Sequence, residues 1–123
     1  MNFQDRNSDE ELLRHRPVLP GDVLKEEVLI ANGLTQDALA EAIGMTRYSI
    51  NQIVNGRRSI TADTALKLAK ATRTSAKFWL NLQMNVDLYE ANIELSEKLK
   101  TIRAVTRAAD DSFGEMPTPT TKR

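Results

Sequence analysis

Two threonine-to-glycine frames, set almost end to end, constrain this chain more than any other feature. Thr35 opens the first and Gly44 closes it; Thr46 opens the second and Gly56 closes it. Threonine is a favoured N-cap because its hydroxyl accepts one of the free backbone N–H groups of a first turn. Glycine ends helices because it enters the left-handed region without a steric penalty. The frames therefore predict two short helices, Gln36–Ile43 and residues 47–55, with a tight turn at Gly44-Met45-Thr46 between them. Ala38, Leu39, Ala42 and Ile43 recur at helical spacing in the first, and Ile50, Ile53 and Val54 in the second. Leu39, Ile43, Ile50 and Ile53 are expected to pack inward and fix the angle between the helices, and Ala40 is small where they must approach closely.

The flanks read as helix too. Over residues 20–31, Pro20 suits a first turn, Asp22 favours the positive N-terminal end, and Val23, Leu24, Val28 and Leu29 form one apolar face before Gly33. Thr61 caps a fourth helix, Ala62–Thr72, expected to pack through Ala65, Leu66, Leu68 and Ala69. Ser75 caps a fifth, whose stripe Trp79, Leu82, Val86, Tyr89 and Ile93 steps by three and four. The pattern loosens through Leu95, Leu99, Ile102 and Val105, with a break expected near residue 92. No segment alternates as a strand would, so the fold class is all-α with five helices. The expected organisation is an N-terminal extension over 1–16, a domain over 17–91, a C-terminal helical extension over 92–109, and a flexible tail over 110–123 containing Pro117 and Pro119.

Composition narrows the function classes. No cysteine means no disulfide, no thiolate metal site and no cysteine nucleophile, which suits a reducing cytoplasm. Apolar runs fall far short of the roughly 18 to 20 residues needed to cross a bilayer, so no membrane partner is expected. The polar, acidic opening MNFQDRNSDEELLRHRP fits neither a signal nor a transit peptide. Net charge is zero, yet unevenly placed: residues 1–34 hold seven acids and four bases, residues 35–75 three acids and six bases. The second stretch carries Arg47, Arg57, Arg58, Lys67, Lys70 and Arg73, a local excess that favours a polyanion.

The helix after the turn has an outward face of Arg47, Tyr48, Asn51, Gln52 and Asn55. These long donors and acceptors suit a helix that enters a major groove, where base edges are read by hydrogen bonds. The stretch LTQDALAEAIGMTRYSINQIVNGRRSIT is similar to the phage-repressor and Cro-like (XRE) helix-turn-helix family. With RPVLPGDVLKEEVL before it and RRSITADTALKLAKATRTSAKFWLNLQMNVDLYEA after it, residues 16–91 resemble the HigA subfamily of toxin–antitoxin antitoxins. The FWLNLQ run at 78–83 is the most specific part of the likeness. The long N-terminal extension and Val18-Leu19 depart from the usual pattern.

The resemblance implies a lambda-repressor-like DNA-binding domain in a cytoplasmic homodimer. Such a protein represses its own operon on double-stranded operator DNA and neutralises a HigB-type mRNA-cleaving toxin. The alternative is a free-standing transcriptional regulator without a toxin. By position, Thr46, Arg47, Tyr48, Asn51 and Gln52 match base-facing residues, Gln36 a phosphate-touching residue, and Asn55, Arg57, Arg58 and Ser59 the loop beside the DNA backbone. The acidic face of Asp22, Glu26 and Glu27, with Asp9, Glu10 and Glu11, is the expected toxin-docking side. Phe78, Trp79, Leu82, Val86 and Tyr89 are expected in the core and dimer interface.

Catalytic readings find little support. His15 is the sole histidine and stands apart from any acid–serine set, and Ser49 has no partner base in the sequence. Asp37, Glu41 and Asp63 fall in different helical contexts and form no evident metal cluster. The expectation is a binding protein without enzymatic activity, metal or cofactor.

Overall fold

All four hydroxyl caps close on the N–H groups expected of them. Thr35 Oγ1 accepts from Ala38 N at 3.0 Å, Thr46 Oγ1 from Ser49 N at 3.0 Å, Thr61 Oγ1 from Thr64 N at 3.4 Å, and Ser75 Oγ from Phe78 N at 3.0 Å. These bonds start the helices of a computed structural model that describes residues 14–107. The expected tail at 110–123 and the acids Asp9, Glu10 and Glu11 lie outside the described residues.

The first helix, α1 (Pro20–Val23), runs directly into a π-helical segment, Leu24–Ile30. The sequence pattern predicts one α-helix here. In a π-turn the bond spans five residues, as in Ala31 N–H to Glu26 O at 3.1 Å. That widening lets residues four and five apart share a face, and Leu24, Val28 and Leu29 are all buried together. Asn32 Nδ2 donates to Val28 O at 2.9 Å and helps close the segment. Then follow α2 (Gln36–Ile43), α3 (Arg47–Val54), α4 (Ala62–Thr72) and α5 (Ala76–Leu99). Among the described residues every regular element is helical.

The core lies where these helices meet. Leu24, Ile50, Ile53, Leu68 and Trp79 are its largest fully buried side chains, with Leu39, Ile43, Ile60 and Ala65 around them. Burying one such aliphatic side chain contributes about 1.5–3 kcal/mol. Trp79 is 1 % exposed, and its indole Nε1 donates to Thr74 Oγ1 at 2.9 Å. Leu66 does not join the core. It lies off the helix face defined by Thr64, Ala65 and Leu68 and is exposed.

Gly21 sets the contact between α1 and α3. It is buried, and a Cβ there would lie 2.6 Å from Val54 O and closer still to Ile53 O. The first turn of α1 thus rests on the backbone of the last turn of α3, a contact that only glycine allows.

The long helix differs from expectation in two ways. It is continuous through Leu99 with no break near residue 92, and Val105 lies beyond its end. Its burial also divides the expected interface stripe. Trp79 and Val86 are buried within the protomer, so neither is available to a partner. Leu82 and Tyr89 are half-buried, and Phe78 and Ile93 are exposed. The reason is that only the first half of α5 packs on α4 and α1; from Glu90 to Arg107 every residue but Asn92 is exposed.

Candidate nucleic-acid interface

Two backbone devices aim α3. Gly44 takes a left-handed conformation with φ 71°, and Met45 N–H reaches back to Ala40 O at 2.9 Å, ending α2 within one residue. Thr46, with extended backbone, then starts α3 at once. Ile50 and Ile53 hold the inner side of α3 in the core, while Thr46, Arg47, Tyr48 and Asn55 are exposed and Asn51 and Gln52 half-buried.

The polar residues of this face are joined to one another. Asn55 Nδ2 donates to Asn51 Oδ1 at 3.1 Å, and Asn51 Nδ2 donates to Gln36 Oε1 at 3.2 Å. Each bond fixes the orientation of the next amide, so the chain of three ends on the Nε2 donors of Gln36. A donor pair at the first residue of α2 is suited to an anionic oxygen. A second pair forms one turn along α3, where Gln52 Nε2 donates to the hydroxyl of Tyr48 at 3.2 Å. Tyr48 is 69 % exposed, so its ring stands out from the domain and does not pack on it.

At the start of α3 a third cluster forms. Ser49 Oγ accepts from Thr46 Oγ1 at 3.0 Å and from Arg58 Nη1 at 2.9 Å. Arg58 is thereby drawn against α3 from the following loop. Arg57 has no side-chain partner among the described residues and leaves its guanidinium free. Arg47 approaches Asp37 of α2, Nε to Oδ1 at 3.8 Å, with both side chains mostly exposed. A surface pair of this kind contributes about 0–1 kcal/mol and leaves Arg47 free to exchange partners.

The structure thus brings Gln36, Thr46, Arg47, Tyr48, Asn51, Gln52, Asn55 and Arg58 onto α2, α3 and the adjoining loop, with Arg57 and Ser59 exposed in that loop. Asp22, Glu26 and Glu27 are exposed on α1 and the π-segment and make no ion pair among the described residues. Three contributors escaped the sequence reading. Ser49 stands three residues after a cap, a position whose hydroxyl can serve the turn. Gly21 follows a buried proline, and Gln83 closes the FWLNLQ run. Gln83 Oε1 accepts from Ile60 N at 2.8 Å, tying α5 to the loop after α3.

Comparison with known proteins agrees with this geometry. A helix-turn-helix family profile matches residues 24–79. The chain is 37% identical over 99 residues to antitoxin HigA-1 of Vibrio cholerae, covering 80% of this chain and 93% of that one. Among solved structures, Pseudomonas aeruginosa antitoxin HigA with the higBA promoter superposes with a TM-score of 0.70 at 34% identity, covering 74% of this chain and 100% of that one. Antitoxin GraA in complex with its operator gives a TM-score of 0.70 at 33% identity, over 76% of this chain and 95% of that one. On this likeness in sequence and in fold, the chain belongs to the HigA-type antitoxins of the helix-turn-helix family.

Proposed function

We propose that this protein is a cytoplasmic repressor that binds the operator of its own operon as a homodimer and neutralises a HigB-type toxin, with no reaction of its own. The observation that carries the DNA-binding part is the exposed, internally ordered polar face of α3, flanked by the free guanidinium of Arg57. Ordered donors lose less freedom on binding, and base edges in a major groove present the matching acceptors. Relatives solved with promoter and operator DNA support the same reading. Titrating labelled DNA from upstream of its own gene against a scrambled duplex tests it. The upstream DNA should bind at least 10³-fold more tightly at about physiological salt. Equal affinity for both would remove the repressor reading.

One α3 reads too few base pairs for selectivity. Two copies would place their recognition helices about 34 Å apart on a palindrome. The exposed apolar residues of α5, among them Phe78, Met84, Leu88 and Leu95, offer a surface for the second copy. A monomer by sedimentation at micromolar concentration, free and on DNA, would reject the dimer.

For the toxin, Asp22, Glu26 and Glu27 supply unpaired carboxylates suited to a basic, ribosome-directed nuclease. Glu26→Lys with Glu27→Lys should abolish its capture in a pull-down with the product of the neighbouring gene. If the wild-type chain captures nothing, the free-standing regulator is the better description.

A further inference from the structure

The run Phe-Trp-Leu-Asn-Leu-Gln at 78–83 ends on a residue the core does not use. Trp79 fills the core, and Leu80 and Leu82 pack against it. Gln83 is half-buried and turns its amide toward the loop after α3. Its Oε1 accepts the backbone N–H of Ile60 at 2.8 Å, and its Nε2 donates to Asp87 Oδ1 at 2.9 Å. The second bond decides which end of the amide faces the loop. Asp87, one turn along α5, can only accept when ionised, so it holds the Gln83 nitrogen and leaves the oxygen for Ile60.

Ile60 is the downstream anchor of the loop that carries Arg57, Arg58 and Ser59. The upstream end is tied to α3 by Gly56 N–H to Ile53 O at 3.0 Å and Arg57 N–H to Gln52 O at 2.8 Å. Between the anchors the loop does not lie flat on α5. A cavity of about 320 Å³ separates them, lined by Gly56, Arg57 and Ser59 on one side and by Gln83, Val86 and Asp87 on the other. Among the described residues, Gln83 makes the one side-chain hydrogen bond from α5 to this loop. The loop spans a gap, and the amide of Gln83 is its strut.

We propose that Gln83, oriented by Asp87, is a positioning residue for the contact of Arg57, in the loop after α3, with the DNA backbone. The proposal rests on the DNA-binding reading above. Removing the acceptor leaves Ile60 N–H unpaired; the Ile60 side chain stays in the core, but the backbone between Gly56 and Ile60 is set less firmly, so the guanidinium of Arg57 samples positions off the phosphate track. Phosphate contacts carry no sequence information of their own. The loss must therefore fall on operator and random DNA alike.

Gln83→Met keeps the length and volume of the side chain and removes its acceptor. It should weaken operator and random DNA by the same factor, about three- to tenfold, and speed amide exchange at Ile60. Gln83→Glu combined with Asp87→Asn reverses the pair. It returns an acceptor to Ile60, places a donor beside it and keeps the net charge. This double variant should restore both the affinity and the protection of the Ile60 amide, which a general loss of packing would not do. Wild-type affinity in a folded Gln83→Met variant would overturn the proposal, as would a loss confined to operator DNA. It also fails if the double variant recovers Ile60 protection but not affinity. If Gln83→Met does not fold, the double variant decides: weakened DNA binding with a protected Ile60 amide overturns the strut. A wild-type chain that binds neither duplex rejects the DNA-binding reading itself. In that case only the exchange result at Ile60 remains, and it reports the hydrogen bond without a function.

Discussion

Helix α3 has eight residues and α5 has twenty-four, yet each buries two. In α3 the two are Ile50 and Ile53, set between α1 and α2, and the rest of the surface is a linked set of amides, hydroxyls and a guanidinium. In α5 both, Trp79 and Val86, fall in the first half, and the second half exposes Leu95 and Leu99. A short helix gripped on its inner side and polar outside is suited to meeting groups that form hydrogen bonds. A long helix with one end in the core and leucines in solvent is a surface suited to another apolar surface. The division implies that stability is concentrated near Trp79, and that α3 can be altered at its face without cost to the fold.

The largest effect should come at the shared anchor. Trp79→Ala removes the biggest buried side chain and the partner of Thr74 Oγ1. It should cost about 3–5 kcal/mol in urea unfolding, and DNA binding should vanish with the fold. A loss under 1 kcal/mol would mean that the first half of α5 is not part of the core that supports α3. Next comes Gly21→Ala, where the new methyl must displace the carbonyls of Ile53 and Val54. Overpacking of this kind costs about 1–3 kcal/mol. Because the strain enters at the last turn of α3, operator affinity should drop further than the stability change predicts. A variant as stable as the wild type would show that α1 can slide away from α3.

At the exposed face the fold should not notice. Arg47→Ala removes only the loose pair with Asp37, so unfolding should shift by less than about 0.5 kcal/mol. Operator affinity should fall roughly ten- to a hundredfold if the guanidinium forks onto guanine O6 and N7, and random DNA should lose much less. Equal losses on both duplexes would make Arg47 a phosphate contact.

What the sequence disclosed follows the same division. The caps at Thr35, Thr46, Thr61 and Ser75 and the stop at Gly44 are local signals, complete within four residues, and all were legible. The inward set of Leu39, Ile43, Ile50 and Ile53 was legible because period alone defines it. Leu66 and the sorting of the α5 stripe were not, since a helical repeat marks an apolar face without saying how far the neighbouring helix extends. The π-turn of Leu24–Ile30 was hidden for a related reason: an α-helix already places Leu24 and Val28 on one face, and only the burial of Leu29, five residues on, calls for the wider turn. Gly21 and Gln83 act across 32 and 23 positions of chain, on Ile53 and Ile60 respectively, and no local pattern encodes such a meeting.

The smallest effect separates two adjacent arginines. Arg57 and Arg58 look equivalent in sequence, and each removes one positive charge when replaced by alanine. For Arg57→Ala the consequence should end there. Its guanidinium has no partner among the described residues, so on the proposed phosphate role the variant should lose that contact alone, and the slope of log affinity against log salt should flatten by about 0.9. Ranking among operator variants should stay as in the wild type, because a phosphate contact does not read bases. Arg58 is tied to Ser49 Oγ at 2.9 Å, and Ser49 in turn to the cap residue Thr46 at 3.0 Å. Arg58→Ala therefore removes one of the two donors to the Ser49 hydroxyl in the first turn of α3, next to Arg47 and Tyr48, and should alter sequence preference as well as salt dependence. Matched titrations at several salt concentrations, on the operator and on single-base variants of it, distinguish the two. Identical behaviour of the variants would mean that the Arg58–Ser49 bond gives way on DNA and both arginines serve only the backbone.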